Sequence, residues 1–152
     1  IMRGFQLHPA LLEHFYRATA IFLNPAKPLI LRSRMIQRVL ILIESLFKKP
    51  VFDCQMCGQC VLHNTGMTCP MTCPKDLRNG PCGGVRNNGN CEVKPEMACV
   101  WVNAWERSKQ MPVYGSNINV IMAPLDRRLQ GTSAWANELS GRTEIIQDEW
   151  SS

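Results

Sequence analysis

All eight cysteines of this 152-residue chain lie between positions 54 and 99, and none falls outside that stretch. Cys54, Cys57, Cys60, Cys69, Cys73, Cys82, Cys91 and Cys99 are separated by glycine, asparagine and proline rather than by an apolar helix or strand pattern. A segment so poor in apolar side chains buries too little surface to offset the entropy of ordering it, so other bonds must hold it. Metal-thiolate bonds fit that need. A secreted disulfide scaffold would use the same even number of thiols, but no secretory pattern opens the chain: Arg3 precedes a mixed stretch with His8, Glu13 and His14 and no long apolar run. The chain reads as cytoplasmic, where thiols stay reduced and clustered cysteines serve as ligands.

Spacing narrows the ligand chemistry. Cys54, Cys57 and Cys60 form a C-x2-C-x2-C run, which puts three thiolates on one tight loop as an iron-sulfur cubane needs them and as ferredoxin runs supply them. Cys69 and Cys73 are each followed by proline, like the remote ligand of such a run, although Cys69 lies nine residues after Cys60 instead of four. With Cys82, Cys91 and Cys99 the eight thiols suffice for two 4Fe-4S clusters. One 4Fe-4S cluster plus one zinc, or zinc alone, would use the same ligands. All eight are therefore candidate cofactor-binding and metal-ligating residues, and spacing leaves open which four belong together. Gly58, Gly66, Gly80, Gly83, Gly84 and Gly89 are expected to let backbone N–H groups approach sulfur. His63 is expected to be structural, and His8 and His14 to be surface or cap residues. The Gly80-Pro81-Cys82-Gly83-Gly84 stretch lacks the spacing and lysine of a phosphate-binding loop.

The flanks divide the chain into an N-terminal helical arm (1–50), a cysteine-rich cluster-binding domain (51–111) and an extended partner-binding tail (112–152). In the arm, His8-Pro9 marks a helix entry and Asn24-Pro25 its end. A second helix is expected from near Pro28 to Lys48-Lys49-Pro50, with Met35, Val39, Leu42 and Leu46 on a wide apolar face. Such faces either meet a partner or cover one another in a helical hairpin. Trp101 and Trp105, four apart on one helical face, either shield a cluster or anchor a core. Beyond Pro112 and Gly115 the chain turns polar, with Trp135 and Trp150 isolated and Arg127 and Arg128 available to partner carboxylates. The expected fold is small, α-rich and irregular: N-terminal helices, a loop-rich domain nucleated by clusters or metal, and an extended C-terminal tail.

Charge and composition exclude several functions. The arm carries eight Lys and Arg against Glu13 and Glu44, a net of +6, while residues 51–111 stand at +1 and residues 112–152 at −2. That basic excess is neither interleaved with aromatics nor set on a nucleic-acid-binding module, so no nucleic acid is expected as partner. The apolar runs 18–23 and 39–43 are far shorter than the roughly 18 residues of a membrane span. No Ser/His/Asp set, paired-carboxylate site or nucleotide fingerprint is visible, which points to a non-catalytic subunit.

The stretch FDCQMCGQCVLHNTGMTCPMTCPKDLRNGPCGG, followed by GNCEVKPEMACVW, resembles the cysteine-rich domain found at the C-terminus of certain bacterial methylenetetrahydrofolate reductases, or beside them as a small subunit. The resemblance spans about residues 50–107. The segment Arg127-Arg128-Leu129-Gln130-Gly131-Thr132-Ser133 is similar to the alphaproteobacterial version. This resemblance implies an iron-sulfur electron-transfer and assembly subunit of one-carbon metabolism, hetero-oligomeric with a flavin-bearing barrel subunit that holds the flavin and folate sites. A structural zinc module in a folate-dependent reductase, methyltransferase or demethylase complex is the alternative.

Overall fold

The computed structural model describes residues 8–144. Among the described residues the α-helices run in chain order α1 (Pro9–Leu23), α2 (Lys27–Arg32), α3 (Arg34–Phe52), α4 (Val100–Ser108) and α5 (Ala134–Leu139). Short 3-10 turns and irregular loops fill the rest. Among the described residues there is no strand, only an isolated antiparallel bridge between Asn90 and Ala98. The α-rich, irregular fold expected from the sequence is the fold observed.

The arm differs in detail from the expected pair of helices. Ser33 takes an extended conformation and its hydroxyl accepts from the Ile36 amide, so it ends α2 and caps α3. Helix α3 then runs past Pro50 to Phe52, and Asp53, at φ 54, forms its left-handed C-cap. A proline in the last turn forfeits one hydrogen bond and tolerates the position there; in mid-helix it would break the ladder. The extra half turn matters because it delivers the chain into the first cysteine loop.

Three small cores hold the molecule together. Cys57, Leu62, Met67, Cys69, Met71 and Met111 form one, with Tyr16 of α1 and Phe52 of α3 packed against it. Cys99, Trp101, Ala104 and Met122 form a second, and Ile30, Leu40 and Ala136 a third that joins α2, α3 and α5. Gly66 shows how closely α4 sits: a Cβ there would fall 2.3 Å from the Ala104 carbonyl oxygen. Thiols are thus part of two of the three cores.

Apolar surface is left over. Leu11, Phe15 and Phe22 on α1, and Met35, Val39, Leu42 and Leu46 on α3, are all exposed, Phe22 to 84 % and Met35 to 77 %. The face predicted for the second helix is therefore present and exposed among the described residues. Besides its apolar contacts with these cores, the arm is tied to the rest of the chain through two buried acids. Glu13 accepts from the backbone amides of Val113 (3.1 Å) and Tyr114 (2.5 Å) through Oε1. Glu44 accepts from the Ser133 hydroxyl (2.7 Å) and the amides of Ala134 (3.1 Å) and Trp135 (2.9 Å). A carboxylate on α3 thereby satisfies the orphan donors at the start of α5, where the helix dipole also favours it. No helix of the described residues is long and apolar enough to cross a membrane.

Candidate functional site

The cysteine stretch folds so that its eight thiols divide into two sets of four. Cys54, Cys57, Cys60 and Cys69 line one enclosed cavity, and Cys73, Cys82, Cys91 and Cys99 line another. Each cavity measures about 20 Å³. None of the eight forms a disulfide. The sulfurs ring these spaces without meeting at a point: among the described residues no three of His, Cys, Asp or Glu converge to hold a single ion. Between the two proline-linked cysteines, which spacing could not separate, the fold sends Cys69 to the first set and Cys73 to the second.

Local conformation explains how three thiols of the first set share one loop. Met56 at φ 50 and Gly58 at φ 74 are both left-handed, and the two reversals curl the chain around Cys57. A left-handed methionine is strained, and the tail supplies what holds it. The Met56 carbonyl accepts from the Gly131 amide at 2.8 Å, and the Gln55 carbonyl accepts from Gln130 at 2.7 Å. Gly58 cannot carry a side chain, since a Cβ would sit 2.2 Å from the Leu129 carbonyl oxygen. Its own carbonyl accepts from Asn137 at 2.9 Å. Further along, the Gln59 side-chain amide bonds the Asp126 backbone in both directions, at 2.9 and 3.3 Å, and Asn79 does the same to Met122 at 2.8 Å each. The tail segment 122–137 is thus bound along the cysteine domain by side-chain amides that stand in for a neighbouring strand.

Backbone amides reach three sulfurs of the first set. The Met56 amide donates to Cys54 Sγ at 3.4 Å, and the amides of Leu62 and Met71 bear in the same way on Cys60 and Cys69. Each donor lies two residues after its cysteine, whatever its side chain. Burial raises the thiols of Cys54 and Cys60 and pushes Cys69 up to about 12, while the three amides oppose it.

Two cations that sequence reasoning passed over also face this cavity. Lys48, near the C-terminal end of α3, is 94 % buried at 6 % exposure, and its Nζ has no hydrogen-bond partner. It lies 3.5 Å from Glu44 and 4.5 Å from the centre of the Trp135 ring. Burial lowers the Lys48 ammonium, but the charge of Cys60, with Glu44 and Cys54, outweighs it and holds the group above its ordinary value. Arg78 lines the same cavity with Nε and Nη1 buried and unpartnered; burial lowers it, and the neighbouring Cys57 resists.

The thiols of the second set are more exposed. Cys82 is exposed, and its Sγ lies 3.4 Å from Glu92 Oε1. Glu92 is ion-paired with Lys75, which lowers the Glu92 carboxyl and raises the Lys75 ammonium. The Asn90–Ala98 bridge and the Cys91 amide to Met97 carbonyl bond (2.9 Å) tie the Cys91 and Cys99 segments together. Trp101 lines this cavity and donates its indole N–H to the Leu77 carbonyl at 3.2 Å. Trp105 does not line it; it lies half exposed under Lys109. The tryptophan pair is thus split between a shielding position and a surface one.

The remaining candidates fall elsewhere. His63 stacks on Tyr16 at 5.3 Å between ring centres and meets Tyr114 edge-on at 5.7 Å, and burial lowers its pKa. It lines neither thiol cavity. His8 precedes α1 as its N-cap residue, and His14 is exposed. Arg127 pairs with Asp76 at 3.1 Å and Arg128 with Asp126 at 2.7 Å, so both find carboxylates within the chain. Trp150 lies outside the described residues.

A helix-framed, cysteine-rich module with two cavities, each lined by four cysteines, is the class that this fold defines. The family described as methylene-tetrahydrofolate reductase C terminal matches residues 34–128, and the chain belongs to that family. The match begins at the start of α3 and ends at the arginine pair, so it takes in both thiol sets, Glu44, Lys48 and Arg78. No curated protein matches the chain, and no solved structure does.

Proposed function

We propose that the chain is an iron-sulfur electron-transfer and assembly subunit of a methylenetetrahydrofolate reductase-type complex, with Cys54, Cys57, Cys60 and Cys69 holding one 4Fe-4S cluster and Cys73, Cys82, Cys91 and Cys99 a second. The observation that carries the reading is the first cavity. Four thiols, amides directed at three of the sulfurs and two buried cations without hydrogen-bond partners make a site for a large anionic group bound through sulfur. Such clusters, when bound, supply one-electron storage and transfer. The chain's own residues provide the thiolates, hold the loops closed through the 122–137 segment, and keep water from the first site. Hydride and folate chemistry belongs to the partner, a flavin-bearing barrel subunit, and the uncovered faces of α1 and α3 are the surface offered to it.

Metal analysis and electron paramagnetic resonance on protein purified without oxygen test this reading. About eight irons per chain and a broad visible absorbance that bleaches with dithionite are expected. About two zincs in a colourless protein would replace it with the structural zinc module.

A further inference from the structure

Lys48 and Arg78 are not explained by the fold. Lys48 is 94 % buried at 6 % exposure, its Nζ donates to no carbonyl or hydroxyl, and the carboxylate it pairs with at 3.5 Å, Glu44, is already engaged by three donors from residues 133–135. Arg78 comes from a different segment, yet it buries Nε and Nη1 without partners against the same cavity. A buried ammonium whose carboxylate is shared with three other donors, and a buried guanidinium with two unsatisfied nitrogens, are costly, and fold stability alone would be better served by apolar residues of similar size. The second thiol set has no equivalent: its cation, Lys75, is 40 % exposed and neutralised by Glu92.

We propose that Lys48 and Arg78 form a cationic cradle for the anionic group of the Cys54, Cys57, Cys60 and Cys69 site and set its reduction potential. This rests on the iron-sulfur reading above. A cluster ligated by four thiolates is negative, and becomes more so when one electron enters; no bond forms or breaks, and in the test the electron comes from dithionite. Burial in a low-dielectric cavity opposes that extra charge, and the two cations that line the cavity, against Glu44 as the carboxylate that lines it, favour it. The pair therefore holds the first site's potential above the value its burial alone would give.

The test is a redox titration of the full chain, loaded and handled without oxygen, followed by the resonance signals of the two reduced clusters. At a fixed potential near the midpoint, Lys48→Met and Arg78→Met should each lower the reduced-to-oxidised ratio of the same one signal about tenfold, equivalent to ~59 mV for one electron. Lys48→Arg should restore it, which a purely structural role would not require. Should Lys48→Met fail to fold, Arg78→Met carries the same test from an independent segment. Unmoved midpoints, equal shifts in both signals, or shifts of different signals by the two variants would overturn the cradle while leaving the clusters standing. A colourless, iron-free protein would overturn both readings.

Discussion

Glu44 is the residue on which the arm, the tail and the first thiol site depend together, and Glu44→Ala should cost about 3–5 kcal/mol, the range for removing one partner of a buried ion pair. Three donors converge on its carboxylate, from Ser133 Oγ and the amides of Ala134 and Trp135. Hydrogen bonds to a charged group contribute roughly 1.5–3 kcal/mol each, and part of that sum returns when water reaches the vacated space. Alanine would leave two amides at the start of α5 without an acceptor and Lys48 without its neighbouring carboxylate. Glu44→Gln, which keeps one acceptor oxygen, should lose about half as much. Ser133→Ala, which removes a donor to Glu44 and the cap that accepts from Ala136, should cost about 1 kcal/mol. Urea unfolding gives the three stabilities, and amide exchange at Ala134 and Trp135 gives the local effect. A loss below about 1 kcal/mol for Glu44→Ala, or unchanged exchange at those two amides, would refute the argument, because a loss that size is ordinary for a single solvent-facing hydrogen bond.

Two further outcomes follow from the geometry. Gly58→Ala should release the 122–137 segment from the first cysteine loop, since the position has φ 74 and its Cβ would lie 2.2 Å from the Leu129 carbonyl oxygen. The left-handed backbone alone costs about 1–2 kcal/mol in a non-glycine residue, and new protease cleavage between residues 126 and 133 would report the release. Burial of His63 in its stack with Tyr16 and Tyr114 places its folded pKa below the unfolded value. Its contribution is therefore fully present above the unfolded pKa, about 6.5, and declines as pH falls below it while the unfolded chain takes up the proton. His63→Phe should flatten that part of the urea midpoint against pH.

Much of the fold was legible in the sequence because its signals are local. Pro9 and Asn24-Pro25 bound α1 as proline chemistry requires, and the Met35, Val39, Leu42 and Leu46 stripe lies on one face of α3. The break at Ser33 was hidden because a serine inside a periodic apolar pattern looks like an ordinary polar position; its capping role shows only in its extended backbone. The eight thiols were equally plain, since their clustering needs no tertiary information. Their division was not, because Cys69 and Cys73 carry the same local signature and only the path of the chain between them sends one to each cavity. Glu13, Glu44, Lys48 and Arg78 escaped for a related reason. Charged residues in an amphipathic arm or a loop look solvated until contacts across as many as 101 positions, such as Glu13 to Tyr114, bury them.

Removing the thiol sets one at a time tests the central claim most directly. Iron per chain and reduced-cluster spin count would be measured, without oxygen, for the full chain carrying Cys57→Ser with Cys69→Ser, or Cys73→Ser with Cys99→Ser. Two four-thiol cluster sites predict that each double variant keeps about half the iron and one signal, a different one in each case, and that the combined variant keeps none. Loss of all the iron in both variants, or the same signal surviving in both, would contradict the division of the eight cysteines on which the account stands.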